Sequence, residues 1–282
     1  MCPRGCLQSI CDHATRRGLL KAGFGFGLAA VGGLGLVPPA AAADAAAPPA
    51  PELRFSKVHD LTHTLFEGFP TFSGEKWFTV EKPVTWEKDK VNLHRWTLME
   101  HTGTHMDAPL HFSKDGKSVD MIDIADLVVP LAVIDIRERA AADPDAGLTL
   151  DDIKAWEAKN GPLPEGCCVA MNSGWHRLLD QPKFTGRDAE GRNHTPGFHA
   201  EAAQFLIEER SVKGIAVDTL SLDRGIASGE FPVHYAWLGS GRWGVEAIAG
   251  LDDLPAKGAM LVVAGPKVKG ATGGPSRILA LV

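Results

Sequence analysis

His101-Thr102-Gly103-Thr104-His105-Met106-Asp107-Ala108-Pro109-Leu110-His111 carries the densest set of metal-binding side-chain types in this chain of 282 residues. Four residues of this stretch have side chains that commonly bind metal ions. Even numbers of positions separate them: His101, His105, Asp107 and His111. An extended chain would therefore project all four side chains from one face. The spacing predicts that they converge on a common site.

A regular helix does not suit this stretch, because Gly103, Thr104 and Pro109 are poor helix formers. We predict instead the end of a strand that bends at Gly103. The bend is needed, since four fully extended residues span about 13 Å, which is too far for His101 and His105 to share an ion. A surface cluster or a polar turn is the alternative for a His-x3-His pair alone. The added carboxylate and third histidine favour a divalent metal, zinc or manganese.

Around this stretch, strand and helix patterns alternate along the chain. Four short apolar runs bounded by Gly, Pro and Asp predict buried strands, at 127–136, 167–171, 214–217 and 260–264. Two patterns predict helices, one from Thr149 to Lys159 with Gly161 after its end, and one from Phe198 to Arg210. Strands interleaved with helices predict an α/β domain.

The first 43 residues have the layout of an export signal. A twin-arginine pattern at 15–21 precedes an uncharged run at 22–37 and small residues at 40–43. A retained membrane anchor is the alternative, but the run is Gly-rich and shorter than the about 20 residues of a spanning helix. We predict a periplasmic or otherwise exported protein without a stable membrane anchor after processing. Its segments would be a signal at 1–43, an Ala/Pro-rich linker at 44–54 and one domain at 55–282.

The charge argues against a nucleic-acid-binding protein, and the cysteine content argues against a domain held together by disulfides. The formal net charge is −6, and a net acidic chain lacks the basic footprint of a nucleic-acid-binding protein. After the signal only the adjacent Cys167 and Cys168 remain, and neighbours in a strand point to opposite faces. We interpret them as core residues rather than as a disulfide, with reactive thiols as the minor alternative.

The quoted stretch also resembles a known family signature. The pattern His-x-Gly-Thr-His-x-Asp-x-Pro-x-His, matched here at every fixed position, is typical of the metal-dependent cyclase family, which includes bacterial kynurenine formamidases and isatin hydrolase. Other parts of the chain are similar to that family's opening strand, Thr-Gly-Trp element, Asp-rich strand end and closing element. These parts are Asp60 to His63, Asn172 to Trp175, Val217 to Asp223 and Pro266 to Leu281.

The resemblance implies a swivelling β/β/α cyclase-like fold, with a mixed sheet and flanking helices. It also implies that His101, His105 and Asp107 bind metal. A later histidine and a glutamate twelve residues on complete the two-zinc site of the formamidases, and His234 and Glu246 have that spacing here. The residues around these two depart from the family pattern, which leaves one ion or two as open alternatives.

The family's chemistry implies hydrolysis of an amide bond by a metal-activated water. His111 is our candidate for general acid and base. It could instead orient Asp107, and Glu246 could take the proton-transfer role if it does not bind metal. Three aromatic residues are candidates for a wall that faces a flat substrate, although core packing is the alternative for each. They are Trp175, Phe72 and Trp96.

The expected substrate is a small molecule, an aryl formamide or a cyclic amide such as an isatin-like lactam. A formamide would connect the enzyme to tryptophan catabolism, which normally proceeds in the cytoplasm and so fits an exported protein less well. The alternatives are hydrolysis of another cyclic amide or ester, and a non-catalytic exported binding protein that contains the metal structurally. The resemblance also implies a homo-oligomer, a dimer or a tetramer.

Overall fold

The computed structural model describes residues 54–227 and 229–282. The predicted signal, and all but the last residue of the predicted linker, lie outside these ranges. No helix among the described residues is both long enough and apolar enough to cross a bilayer. Within them the strands are β1 Val58–Asp60, β2 Phe78–Val84, β3 Leu93–Leu98, β4 His105–Asp107, β5 Val128–Asp135, β6 Gly147–Leu148, β7 Cys167–Asn172, β8 Gly197–Phe198, β9 Val212–Val217, β10 Trp243–Glu246, β11 Lys257–Ala264, β12 Gly273–Pro275 and β13 Arg277–Leu281. The helices are α1 Trp86–Asp89, α2 Arg137–Ala142, α3 Leu150–Asn160, α4 Ala200–Glu209 and α5 Pro232–Gly239.

A nine-stranded mixed sheet organises the described part of the chain, in the order β1-β13-β11-β5-β7-β9-β10-β4-β12. The four strands β5, β7, β9 and β10 are parallel, and antiparallel strands continue the sheet on either side. All six residues of β7 are buried, as expected for a parallel strand with both faces covered. The α/β class with a mixed sheet and flanking helices is therefore confirmed.

The four apolar runs all become strands of this sheet, and both predicted helices form. Helix α3 begins with a capping box, in which Thr149 accepts a hydrogen bond from the Asp152 amide and Asp152 accepts one from the Thr149 amide. The helix ends at Asn160 and is capped by Gly161, whose φ of 80° suits glycine. The second helix, α4, is shorter than predicted because residues 197 and 198 pair as strand β8 with β6.

The sheet separates two hydrophobic cores, one on each face. Cys168 packs in one core with Met106 and Val245, whereas Cys167 packs in the other with Leu206 and Trp237. Both cysteines are free and buried, and burial raises the pKa of each thiol. The interpretation as core residues on opposite faces is confirmed.

Two features of this fold position the site. Strand β4 lies between β10 and β12, so the residues of the metal-binding stretch are flanked by backbone on both sides. Strands β2 and β3 form a separate two-stranded hairpin that projects apolar side chains into solvent. Met99, which directly follows β3, connects this hairpin to the cavity described below.

Candidate metal centre

Pairing of β4 with β10 places two of the predicted ligands opposite each other. His105 is in register with Glu246, and Nε2 of His105 lies 3.4 Å from Oε2 of Glu246. Asp107 is in register with Gly244, where a Cβ would lie 3.3 Å from Oδ2 of Asp107 and 2.7 Å from Leu222. Glycine therefore leaves the space that the carboxylate needs. All three ionisable groups of this pair of strands are buried.

His101 enters the site from the bend before β4. Gly103 has a φ of 70°, as the predicted bend requires, and the strand begins two residues later. Nδ1 of His101 lies 2.7 Å from Oδ1 of Asp107, and the His101 and His105 rings meet edge to face at 5.2 Å. The bend thus brings both imidazoles to the same carboxylate.

His234, the remaining predicted histidine ligand, lies on helix α5. Nε2 of His234 lies 3.1 Å from Oε1 of Glu246 and 3.8 Å from Oδ2 of Asp107. Asp223 fixes this arrangement, because its carboxylate accepts hydrogen bonds from the Val233 and His234 amides and from Nδ1 of His234. Asp223 was not among the predicted site residues, although it lies in the Asp-rich strand end that carried part of the resemblance.

The atoms at the centre lack partners that the protein itself could supply. Nε2 of His105 and Oδ2 of Asp107 are buried without a hydrogen-bond partner among the described residues, an arrangement that ordinarily costs about 1–3 kcal/mol per group. Ligand atoms of His105, Asp107 and Glu246 lie within 4.8 Å of one another, as do those of His101, Asp107 and His111. These nitrogen and oxygen donors fit a divalent ion, and Asp107 belongs to both groups.

When no metal ion is bound, protons on the histidines balance the negative charge of the carboxylates. Burial alone would lower the pKa of His105 and of His234, but the negatively charged carboxylates that face each ring outweigh it and raise the pKa of each to about 10. Burial would raise the pKa of Asp107 and of Glu246, but hydrogen bonds from the histidines lower both. The metal-free cluster therefore consists of carboxylates neutralised by imidazolium groups.

This protonation predicts the pH dependence of metal binding. An ion that binds His105 and His234 must displace their protons, so the dissociation constant should fall about tenfold per pH unit for each displaced proton between about pH 6.5 and pH 10. Because the folded-state pKa values are raised, their contribution to the stability of the metal-free protein is complete below about pH 6.5 and is lost as the pH rises towards 10. Chelator competition and thermal unfolding across this range measure both effects. An affinity that does not change with pH would contradict the assignment.

His111 reaches the site by a route that the sequence did not indicate. It ends a 3-10 turn, Pro109–His111, rather than continuing the extended chain, and its ring stacks on His101 with a centroid separation of 3.7 Å. Burial, together with the neighbouring histidines, lowers its pKa to about 4. The ring is therefore neutral at neutral pH and can accept a proton.

A cavity of about 300 Å³ opens beside these residues. Its walls are apolar and aromatic, and the rings of Phe72 and Phe231 pack against each other in this lining with their centroids 5.8 Å apart and their planes tilted by 52°. Two larger clefts, of about 830 and 520 Å³, contain none of the predicted ligands. The smaller cavity is therefore the one that the chemistry can use. Its further apolar lining comes from Pro70, Trp77, Met99, Phe112 and Leu220.

Of the three predicted wall residues, the structure brings only Phe72 to the cavity. Trp175 is buried in the core beside Phe184, whose carbonyl accepts its indole N–H at 2.9 Å. Trp96 lies on the hairpin with 67% of its surface exposed, against the edge of Phe78. The prediction that Trp175 and Trp96 line the substrate cavity is therefore wrong. The presence of an aromatic residue in the sequence does not reveal whether its side chain points to the core, to solvent or to the cavity.

Comparisons with known proteins identify related enzymes. A family model described as "Putative cyclase" matches residues 59–224. Isatin hydrolase from Roseibium aggregatum is 40% identical over 196 residues, which cover 66% of this chain and 74% of that protein. Kynurenine formamidase from Bacillus cereus is 32% identical over 174 residues, 61% of this chain and 72% of that protein. The structure of isatin hydrolase A from Labrenzia aggregata bound to benzyl benzoate matches with a TM-score of 0.76 at 36% identity, covering 80% of this chain and 93% of that chain.

Proposed function

Because this chain belongs to the cyclase family and is a metal-dependent amide hydrolase, we propose that its substrate is a cyclic aryl amide of the isatin type. The observation that carries the proposal is the aromatic cavity directly beside the His and carboxylate cluster. A flat bicyclic lactam matches such walls, because aromatic rings bind one another by offset or edge-to-face contacts. Isatin hydrolase is also the more similar of the two named relatives.

Each group near the cavity has a part in this reaction. A divalent ion, when bound, would supply a water of lowered pKa and would polarise the substrate carbonyl. The walls formed by Phe72 and Phe231 would hold the ring so that its amide faces the cluster. His111, neutral before the reaction, can take a proton from the attacking water and return it to the amide nitrogen as the C–N bond breaks. Water thereby adds a hydroxyl to the carbonyl carbon and a proton to the nitrogen.

His101, His105 and Asp107 would hold one ion, zinc or manganese. Nε2 of His234 lies 3.8 Å from the other oxygen of Asp107 and 3.1 Å from Glu246, so the donor set is large enough for a second ion. We propose two ions, since the pair His234 and Glu246 is buried and oriented by Asp223. Elemental analysis of protein loaded with zinc or with manganese tests this number. A ratio of one ion per chain would contradict it.

A substrate panel tests the proposed activity. Metal-loaded protein would be assayed with isatin, an aryl formamide and an aryl lactone. We expect kcat/KM for isatin to exceed that for the formamide at least about tenfold, a difference of about 1.4 kcal/mol in transition-state binding. A reversed order would favour the formamidase activity that the Bacillus relatives carry. No turnover of any of the three would favour the non-catalytic binding protein.

We further propose that the exposed β2–β3 hairpin binds a second copy of this chain. Leu93 is 61% exposed, Trp96 67% and Met99 58%, and a two-stranded hairpin without a cover is only marginally stable. Met99 also lines the cavity, so a copy bound here would lie next to the site.

Replacing Leu93 and Trp96 together with serine is expected to convert the oligomer to a monomer at micromolar concentration, because it removes an exposed apolar group from each face of the hairpin. Light scattering coupled to gel filtration measures the change. Ile124, which is 76% exposed elsewhere, provides a matched serine control that should leave the oligomer intact. A wild-type protein that is already monomeric would contradict the proposal.

A further inference from the structure

Two polar residues beside His101 are so far without a role. Glu100 directly precedes the metal-binding stretch, and Thr272 directly precedes β12. The Thr272 hydroxyl lies 3.0 Å from Nε2 of His101 and donates a short hydrogen bond to Oε2 of Glu100. The Thr272 amide donates to the same carboxylate oxygen at 3.1 Å. The hydroxyl is thus held between a carboxylate and an imidazole.

The direction of these hydrogen bonds follows from the number of protons. A threonine hydroxyl carries one proton, and an ionised carboxylate can only accept. Because the hydroxyl donates its one proton in the hydrogen bond to Glu100, its oxygen offers His101 only lone pairs. Nε2 of His101 must then be the donor. Nδ1, which lies 2.7 Å from Oδ1 of Asp107, faces the cluster, and a bound ion would replace the proton that a hydrogen bond from Nδ1 to this carboxylate requires.

The other two histidines have the opposite arrangement. Nδ1 of His105 lies 2.9 Å from the Gly103 carbonyl, and Nδ1 of His234 lies 2.6 Å from Oδ2 of Asp223. Since a carbonyl and a carboxylate both accept, each of these rings keeps its proton on Nδ1 and presents Nε2 to the cluster. His101 therefore differs from both in the nitrogen that it offers.

Backbone packing holds the His101 ring in this orientation. A Cβ on Gly273, the residue after Thr272, would lie 2.6 Å from Cε1 of His101 and 2.5 Å from the Met106 carbonyl. The strand therefore lies against the ring, and only glycine allows so close an approach. Rotation of the ring by half a turn about its Cβ–Cγ bond would put Cε1 in the place of Nε2 and break the hydrogen bond to Thr272.

We propose that Glu100 and Thr272 are positioning residues that make His101 an Nδ1 ligand of the metal ion. The proposal rests on the metal site of the proposed function and assigns two residues to it that the ligand set alone does not include. Hydrogen-bonding partners of this kind fix both the tautomer and the direction of a ligating imidazole, and their loss commonly weakens metal binding about 10- to 100-fold.

Metal affinity of three variants provides the first test. Chelator competition with zinc should show about 10- to 100-fold weaker binding for Thr272→Val, which removes the hydroxyl, and for Glu100→Ala, which removes its acceptor. Thr272→Ser keeps a hydroxyl and should bind zinc within about threefold of the wild type. Glu138→Ala, an exposed glutamate on α2, is the control for loss of a negative charge. Unchanged affinity in Thr272→Val, with normal binding by the wild type, would overturn this proposal alone.

The tautomer itself provides the second test, and a purely structural role for Thr272 would not affect it. Nitrogen NMR of zinc-loaded protein with ¹⁵N-labelled histidine should show the proton of His101 on Nε2, and the protons of His105 and His234 on Nδ1. In Thr272→Val the His101 signal should lose this pattern or broaden, while the other two stay unchanged. A His101 proton on Nδ1 in the wild type would overturn the proposal. Failure of the wild type to bind zinc would overturn both this proposal and the proposed function.

Discussion

Asp107→Asn is expected to abolish metal binding and to lower kcat/KM by about 10³-fold or more. A divalent ion contributes several kcal/mol of transition-state stabilisation, and each 1.36 kcal/mol corresponds to a factor of ten. Asp107 is the one residue that belongs to both ligand groups found among the described residues. Its Oδ1 lies 2.7 Å from His101 and 3.4 Å from His105, and its Oδ2 is buried without a partner.

Two measurements separate loss of the ion from loss of the fold. Elemental analysis should find less metal in Asp107→Asn than in the wild type at equal protein concentration. Added metal should raise the unfolding temperature of the wild type, because it binds only the folded state, but not that of the variant. Asp115→Asn, an exposed aspartate eight residues further on, is the matched control and should behave as wild type. An Asp107→Asn protein that keeps its metal and a tenth of its activity would contradict the assignment.

The part of this site that depends on local chain geometry could be predicted from the sequence. Even spacing and a glycine at the bend brought His101 and His105 to the same oxygen of Asp107, because strand alternation is a local property. The same reasoning gave the wrong local structure for His111, since the chain turns at Pro109 and no longer alternates. The short apolar runs likewise became strands, because burial on both faces of a parallel sheet imposes that composition.

The remaining contacts depend on residues that are far apart in the chain. Glu100 and Thr272 meet across 172 positions, and nothing in either residue type identifies the partner. Asp223 orients His234 because a strand end and a helix start come together in space. The aromatic lining of the cavity could not be predicted for the same reason. Phe231 lines the cavity but was not predicted to do so, whereas Trp175 was predicted there but is buried in the core. Tertiary packing selects these residues, so local patterns could not.

His111→Ala is expected to lower kcat about 10²- to 10⁴-fold while metal content stays unchanged, because general acid–base groups contribute about that much. The lowered pKa of about 4 leaves the ring neutral and able to accept a proton at neutral pH. Its stacking on His101 places it beside the ligands. Steady-state kinetics with the best substrate of the panel and elemental analysis measure the two quantities. His59→Ala, at the opposite end of the sheet on β1, is the control for removal of a histidine.

Three alternatives for His111 give different results in the same experiment. If His111 is a metal ligand, as its distance to His101 and Asp107 permits, the variant will lose metal along with activity. If it only orients Asp107, metal affinity will fall more than kcat. If Glu246 is the acid and base, Glu246→Gln will lose activity with its metal intact. We expect instead that Glu246→Gln loses metal, because its two oxygens lie 3.1 Å from His234 and 3.4 Å from His105. Addition of imidazole should partly restore turnover to His111→Ala but not to Glu246→Gln, since only the first lacks a proton carrier.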